Sequence, residues 1–205
     1  MKLFLISNNL LFEEMNYNRD ADLDTIRMVR PLSTTGEIYA NKIGNSKMFS
    51  NVSKIYTSMY ASSIDTAKYL ARNLDLNVYL EEKLNECKVG ILGSKNMKMV
   101  KGLQDHEFAY KLSNGESLID VGNRIDSFVN QIILENEDCA LFTHKRAIVG
   151  FLLKYSQVGY NLDENLILTF NNEVIYDDTE TDLDIYELEI EENKIIKIES
   201  ITDLK

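Results

Sequence analysis

Two histidines, one carboxylate placed after a strand, and a pair of adjacent cations are the residues of this chain that could carry chemistry. His144 lies in Thr143-His144-Lys145-Arg146, directly after the apolar run Cys139-Ala140-Leu141-Phe142. A run that short and that apolar reads as a strand buried on both faces, and helical spacing follows it. The carboxyl end of such a strand, beside a helix N-terminus, is where α/β proteins gather anions. Lys145 and Arg146 then have two readings: the wall of a phosphate pocket, or a surface turn whose cations pair with nearby carboxylates. His106, in Gln104-Asp105-His106-Glu107, stands among polar residues and reads as solvent-facing. Glu86 is one of 33 acidic residues, so its type alone says nothing. A further buried-type run, Leu3-Phe4-Leu5-Ile6, stops at Ser7-Asn8-Asn9, a set with no acid, no base and no strong nucleophile.

The bulk properties bound what these residues can be doing. With 205 residues, a single domain spanning 1–205 is the expectation, and 44% hydrophobic residues supply an ordinary core. No apolar stretch approaches the ~18 residues of a membrane span, and the N-terminal run is too short for a signal peptide. Cys87 and Cys139 are far apart and lack metal-type spacing; they read as free thiols of a cytoplasmic protein. No metal and no cofactor is expected. A net charge of −11 argues against nucleic acid and anionic membranes as partners, and mildly against anionic substrates unless a local basic pocket overrides it.

The elements that must position these residues alternate. Residues 10–32 show little periodicity and end at the only proline, Pro31. A helix is predicted from about Thr35 to Gly44, a strand at 54–57, and a helix carrying Ile64, Ala67, Ala71 and Leu74 on one face. A strand follows at 77–80, then a glycine-punctuated stretch over 88–113 with room for one short helix. Ser117 reads as the N-cap of the clearest helix, with Leu118, Val121, Ile125, Phe128, Val129, Ile132 and Ile133 on its apolar face. A strand at 139–143 and a helix from Ile148 to Tyr155 come next; no element is assigned between 156 and 184. Over 185–198, period-two alternation around Glu192-Asn193 predicts an antiparallel hairpin. The whole is a three-layer α/β/α sandwich: a mostly parallel central sheet, strand 3–6 at its centre beside strand 139–143, with an antiparallel C-terminal hairpin.

In this order the pieces resemble the histidine phosphatase superfamily, the phosphoglycerate mutase-like proteins. Pro31-Leu32-Ser33-Thr34-Thr35-Gly36 is similar to the family's Pro-Leu-Thr-x-x-Gly. Ile55-Tyr56-Thr57-Ser58 followed by Asp65-Thr66-Ala67 is similar to its Ile-Tyr-Ser-Ser and Glu-Thr-Ala. Leu84-x-Glu86 with Gly90 and Gly93, Gly115-Glu116-Ser117 and Thr143-His144 complete a series over about 140 residues. The resemblance implies the family's fold and a phosphate site at the ends of the first strand and of strand 139–143. It places Glu86 at the position that often acts as proton donor and His144 at the second histidine.

The same resemblance exposes departures. The family's nucleophilic histidine is Asn8 here, and an amide nitrogen, delocalised into its carbonyl, is no nucleophile at phosphorus. The two phosphate-clamping arginines fall at Ser7 and Ser62. Each lost charge-assisted bond is worth roughly 1.5–3 kcal/mol, so two cost about 10²–10⁴ in rate or affinity. Lys145 and Arg146 stand where the family has small residues and could restore charge. Three readings stay open: a non-catalytic pseudo-phosphatase binding a phosphorylated small molecule, an inorganic anion or a protein partner; a phosphomonoester hydrolase with rearranged machinery on His144 and Glu86; and a structural or oligomerisation module with a closed pocket. The first carries an expected weak anion site that tightens as His144 charges towards pH about 6.

Overall fold

The computed structural model describes residues 1–12, 22–178, 183–201 and 204. Its main sheet has six strands, in the order β3 (Val78–Leu80), β2 (Lys54–Thr57), β4 (Cys139–Phe142), β1 (Lys2–Asn8), β8 (Leu183–Glu191), β9 (Lys194–Ser200). The first four run parallel; β8 and β9 are antiparallel additions. β1 is central, with Leu3 opposite Cys139 on one side and Leu188 on the other. The hairpin turn uses Glu192 and Asn193 in the left-handed region, φ 49° and 61°, the twist that joins two strands tightly.

Alternation along β1 divides the core in two. Leu3 and Leu5 enter a cluster with α5 (Leu118–Ile133) and α6 (Lys145–Leu153). Phe4 and Ile6 enter another with α2 (Thr34–Asn45) and α3 (Ala61–Leu74). A strand buried on both faces has no polar alternation to show, which is why its sequence is one apolar run. α5 is fixed at its start by a capping box, Ser117 and Asp120 each accepting the other's backbone N–H, and all seven apolar residues on its predicted face are buried.

Three parts depart from the sequence reading. Leu23–Val29 is a helix, α1, inside the stretch read as irregular; residues 13–21 of that stretch lie outside the described residues. α1 buries no residue, so it carries no apolar face to detect. The helix predicted to begin at Ile148 begins at Lys145, because its polar first turn hides its start. Between 156 and 184 the chain forms a separate antiparallel sheet, β5 (Gln157–Tyr160), β6 (Leu166–Phe170) and β7 (Glu173–Tyr176). Leu166, Leu168 and Ile175 pack it against the α5–α6 side. The short helix foreseen within 88–113 is α4, Met97–His106.

α5 and α6 cross at Gly122 and Gly150. A Cβ on Gly122 would stand 2.2 Å from the Gly150 carbonyl oxygen, so only two hydrogens separate the backbones there. Gly122→Ala should therefore push α6 away and cost about 2 kcal/mol, measured as a loss in urea-unfolding free energy. A change below about 0.5 kcal/mol, the range of an ordinary surface substitution, would contradict this contact.

Candidate functional site

The carboxyl ends of β1, β2 and β4 meet at one edge of the sheet. Thr143 N–H donates to Ile6 O at 2.8 Å and Ser58 N–H to Phe142 O at 2.9 Å. This brings Ser7 and Asn8, Ser58 and the start of α3, and His144 to the same place. Ser7, Asn8 and Ser62 are all buried there, at 1%, 8% and 4% exposure.

Each is hydrogen-bonded or packed within the protein. Asn8 Nδ2 donates to Gly36 O at 3.0 Å, and Asn8 Oδ1 accepts from Leu10 N–H at 3.3 Å. Ser7 Oγ donates to Asn9 Oδ1 at 3.0 Å, and Asn9 Nδ2 donates to Asp184 Oδ2 at 2.9 Å. Asn8 and Ser7 thus turn to different partners. Ser62 supplies its backbone carbonyl to Thr66 Oγ1 at 2.8 Å within α3.

His144 is the first residue before α6, and its Nε2 lies 2.8 Å from Ser58 Oγ and 3.3 Å from Ser63 Oγ. Ser58 Oγ accepts from Tyr60 N–H at 3.2 Å, which leaves its own proton for Nε2. The Tyr60 ring packs on the imidazole, centroids 4.5 Å apart. Burial pushes His144 down to about 4; Glu86 opposes this, while Arg27 and Arg124 add to it. The anion-free ring is therefore neutral at physiological pH, and its burial works against the charging that a tightening of the anion site near pH 6 requires. Desolvation outweighs the one carboxylate nearby.

A stability consequence follows with a definite sign. The folded-state value lies below the ordinary 6.5, so between about 6.5 and about 4 the folded chain binds fewer protons than the unfolded one. Stability should fall as pH drops through that window, by up to about 3 kcal/mol at its lower end, and be unaffected above it. Comparing urea unfolding of the wild type and His144→Gln at pH 7 and pH 4.5 checks this: the wild type should lose more. A ring titrating near 6.5 by NMR would contradict it.

Glu86 is held by an arrangement the sequence does not advertise. It is 7% exposed. Its Oε1 accepts from Cys87 N–H at 2.8 Å and from Ala147 N–H at 3.1 Å, in the first turn of α6. α6 has no side-chain cap of its own, so Glu86 supplies the anion that the helix end attracts. Oε2 lies 3.4 Å from Arg27 Nη2. The backbone around it is clipped in place: Thr143 Oγ1 donates to Leu84 O at 2.7 Å, Asn85 Oδ1 accepts from Met59 N–H at 2.8 Å, and Arg124 Nη2 donates to Glu86 O at 3.1 Å.

Arg27 is the residue that sequence reasoning missed. α1 carries it to the site because Asp24 accepts the backbone N–H groups of Val89 and Gly90, both at 3.0 Å. Arg27 Nη1 also donates to Cys87 O at 3.1 Å. No local pattern announces a contact spanning 60 residues.

The two cations beside His144 point elsewhere. Arg146 Nη1 donates to Asp105 Oδ1 of α4 at 2.6 Å, and Lys145 Nζ stands 5.9 Å from the Tyr176 ring centroid. His106, at the end of α4, is exposed and stacks on Tyr160 with centroids 5.0 Å apart. Cys87 and Cys139 are free, buried thiols, both pushed up to about 12 by burial. Among the described residues no cluster of His, Cys, Asp and Glu is arranged to hold a metal, and no helix is long and apolar enough to cross a membrane.

A parallel sheet extended by an antiparallel hairpin, with helices on both faces and a histidine at the end of β4, defines a three-layer α/β/α class. The sequence profile of the histidine phosphatase superfamily (branch 1) matches residues 24–176, and the chain belongs to that superfamily. The match begins after β1 and its Ser7-Asn8-Asn9. Solved structures with the same fold include a mycobacterial glucosyl-3-phosphoglycerate phosphatase in complex with inorganic phosphate. It is 15% identical, with TM-score 0.67 over 100% of this chain and 97% of that one. The alpha-ribazole phosphatase from Shigella flexneri is 12% identical, with TM-score 0.64 over 94% and 92%. Bacillus stearothermophilus YhfR is 18% identical, with TM-score 0.63 over 95% and 93%. No curated protein sequence matches the chain at a significant level.

Proposed function

We propose that this chain is a single-domain, non-catalytic member of the superfamily, a cytoplasmic pseudo-phosphatase that binds a phosphorylated small molecule. The observation that carries the reading is the state of the nucleophile position. Asn8 has no nucleophilic nitrogen, and its amide is spent on Gly36 O at 3.0 Å. The surroundings agree. Ser7 and Ser62 are small, buried and neutral where two clamping arginines belong. Glu86 has its carboxylate against two backbone N–H groups and Arg27, a braced group rather than one presented to a ligand. That a mycobacterial relative in this fold was solved with inorganic phosphate, and again with VO3, supports an anion as the ligand class.

A phosphomonoester hydrolase working through His144 and Glu86 is the second reading, favoured by the neutral imidazole that a nucleophile or base requires. Against it, Nε2 is held by Ser58 Oγ at 2.8 Å. The two are separated by turnover of p-nitrophenyl phosphate by wild type and His144→Ala. The pseudo-phosphatase reading expects no turnover in either. Turnover in the wild type that His144→Ala abolishes would establish the hydrolase.

A further inference from the structure

The three-stranded sheet ends in an open edge. β5 pairs with β6 on one side, and among the described residues no strand lies on the other. Asn161 N–H donates to Asn165 O at 3.1 Å, which sets the phase of the ladder. Hydrogen-bonded pairs alternate with non-bonded ones in antiparallel strands, so Gly159 turns its N–H and C=O to Ile167 of β6. Val158 and Tyr160 turn theirs outward, and among the described residues no other backbone group takes them.

Such an edge pairs readily with another strand, and proteins blunt theirs with charges, prolines, bulges or shortness. The other edges here are blunted. β3 has three residues, and β9 carries Lys194, Lys197 and Glu199. β7 carries Glu173, and its pairing with β6 is broken by a bulge at Leu168–Thr169. β5 has none of these devices. Residues 155–162 read Tyr-Ser-Gln-Val-Gly-Tyr-Asn-Leu, with no charge and no proline in a chain that is 27% charged. Val158 and Tyr160 are each 43% exposed, and Leu162 beyond them is fully exposed.

This edge is complementary to itself. About a two-fold axis normal to the sheet, antiparallel copies bring together residues that point to the same face. With Gly159 on the axis, Val158 lies opposite Tyr160 of the second copy, and Tyr160 opposite its Val158. These are the residues whose N–H and C=O groups face outward, so each pair closes two hydrogen bonds. Each is also an aromatic–β-branched pair, which stabilises antiparallel strands. Placing Val158 on the axis instead sets Tyr160 against Ser156, which lies outside the strand. We propose that two copies of this chain join through β5, in antiparallel register about Gly159, so that their three-stranded sheets become one continuous sheet. The paired strands include no residue of the sheet-end centre, so the inference is independent of how that centre is read.

The test is sedimentation equilibrium of the full chain from about micromolar to about millimolar concentration. The mass should rise from 23.6 kDa towards twice that value. Added salt should favour the larger species, because two chains of net charge −11 repel each other. Amide exchange reads the register: Val158 and Tyr160 should gain about tenfold protection or more on association, and Gly159, already bonded to β6, much less. A Cβ at Gly159 meets nothing within 4 Å, and its φ is not in the left-handed region, so substitutions there spare the single chain. Gly159→Glu sets two carboxylates against each other on the axis and should weaken association about fivefold or more. Gly159→Val, an uncharged strand former, should preserve it. Gly159→Cys should oxidise to a disulfide-linked dimer, since non-bonded pairs bring Cα atoms to about 4.5 Å. Val174→Cys, exposed on β7, should not, and the native Cys87 and Cys139 are buried. A wild type that stays at 23.6 kDa throughout would overturn the inference and leave the edge to a strand of another protein. Association that Gly159→Glu does not weaken, or that leaves the Val158 and Tyr160 amides unprotected, would place the interface elsewhere and overturn it too.

Discussion

Glu86→Ala should destabilise the protein by about 3 kcal/mol, because removing one partner of a buried ion pair leaves the others uncompensated. The carboxylate is 7% exposed and takes Cys87 N–H, Ala147 N–H and Arg27. Alanine strands both N–H groups in a dry place and leaves Arg27 with Asp24, 3.5 Å away, as its acidic partner. Arg27 keeps some solvent contact, which holds the cost at the lower end of the range for such pairs. Glu86→Gln retains one acceptor oxygen and should lose about 1 kcal/mol. Thermal or urea unfolding of the two variants measures the contrast. Equal and negligible losses would mean that Glu86 is not the brace that joins the 84–87 segment to α6.

Asn8→His should not create a phosphatase. The substitution returns a nucleophile but no clamp: Ser7 and Ser62 remain neutral, and two missing charge-assisted bonds keep turnover about 10²–10⁴ below that of a site that has both arginines. The imidazole would also lie where the Asn8 amide now reaches Gly36 O, in a pocket at 8% exposure. Steady-state hydrolysis of p-nitrophenyl phosphate by Asn8→His should stay at least about 10²-fold below that of a superfamily member with both arginines. Restored turnover would show that the phosphate clamp survives in other residues, with Arg27 the first to examine.

How much of this was readable from the residues follows from where the information lies. β1 and β4 were readable because strands buried on both faces are short apolar runs bounded by polar residues; β2, with only Ile55 and Thr57 buried, was readable from the strand-favouring Ile-Tyr-Thr. α5 was readable because Ser117 caps it and seven apolar residues mark one face. The hairpin over β8 and β9 was readable because one of its faces is wet. α1 was not, since a helix with no buried residue has no period. β5 and β7 were missed because four-residue strands with two or more exposed positions leave no long apolar run; β6 does carry one, Leu166-Ile167-Leu168, and was passed over between two such neighbours. The residues at the sheet end were named from their place in a series of motifs. Arg27 was not, because its position depends on Asp24 clipping α1 to the backbone of Val89 and Gly90, a contact made only by the folded chain. Nor do residue types tell which way a side chain turns. Lys145 and Arg146 follow His144 directly, yet they face α4 and Tyr176.

The account's central claim is that no phosphoryl group is ever transferred to this protein, and one measurement addresses it without reference to substrate identity. The wild type is incubated with a mixture of ³²P-labelled phosphomonoesters, quenched in base, where a phosphohistidine survives, and the label retained on the protein is counted beside a His144→Ala control. The account predicts background label on both. Label approaching one phosphate per chain on the wild type, lost on brief acid treatment and absent from His144→Ala, would contradict it and make His144 the nucleophile of an active enzyme.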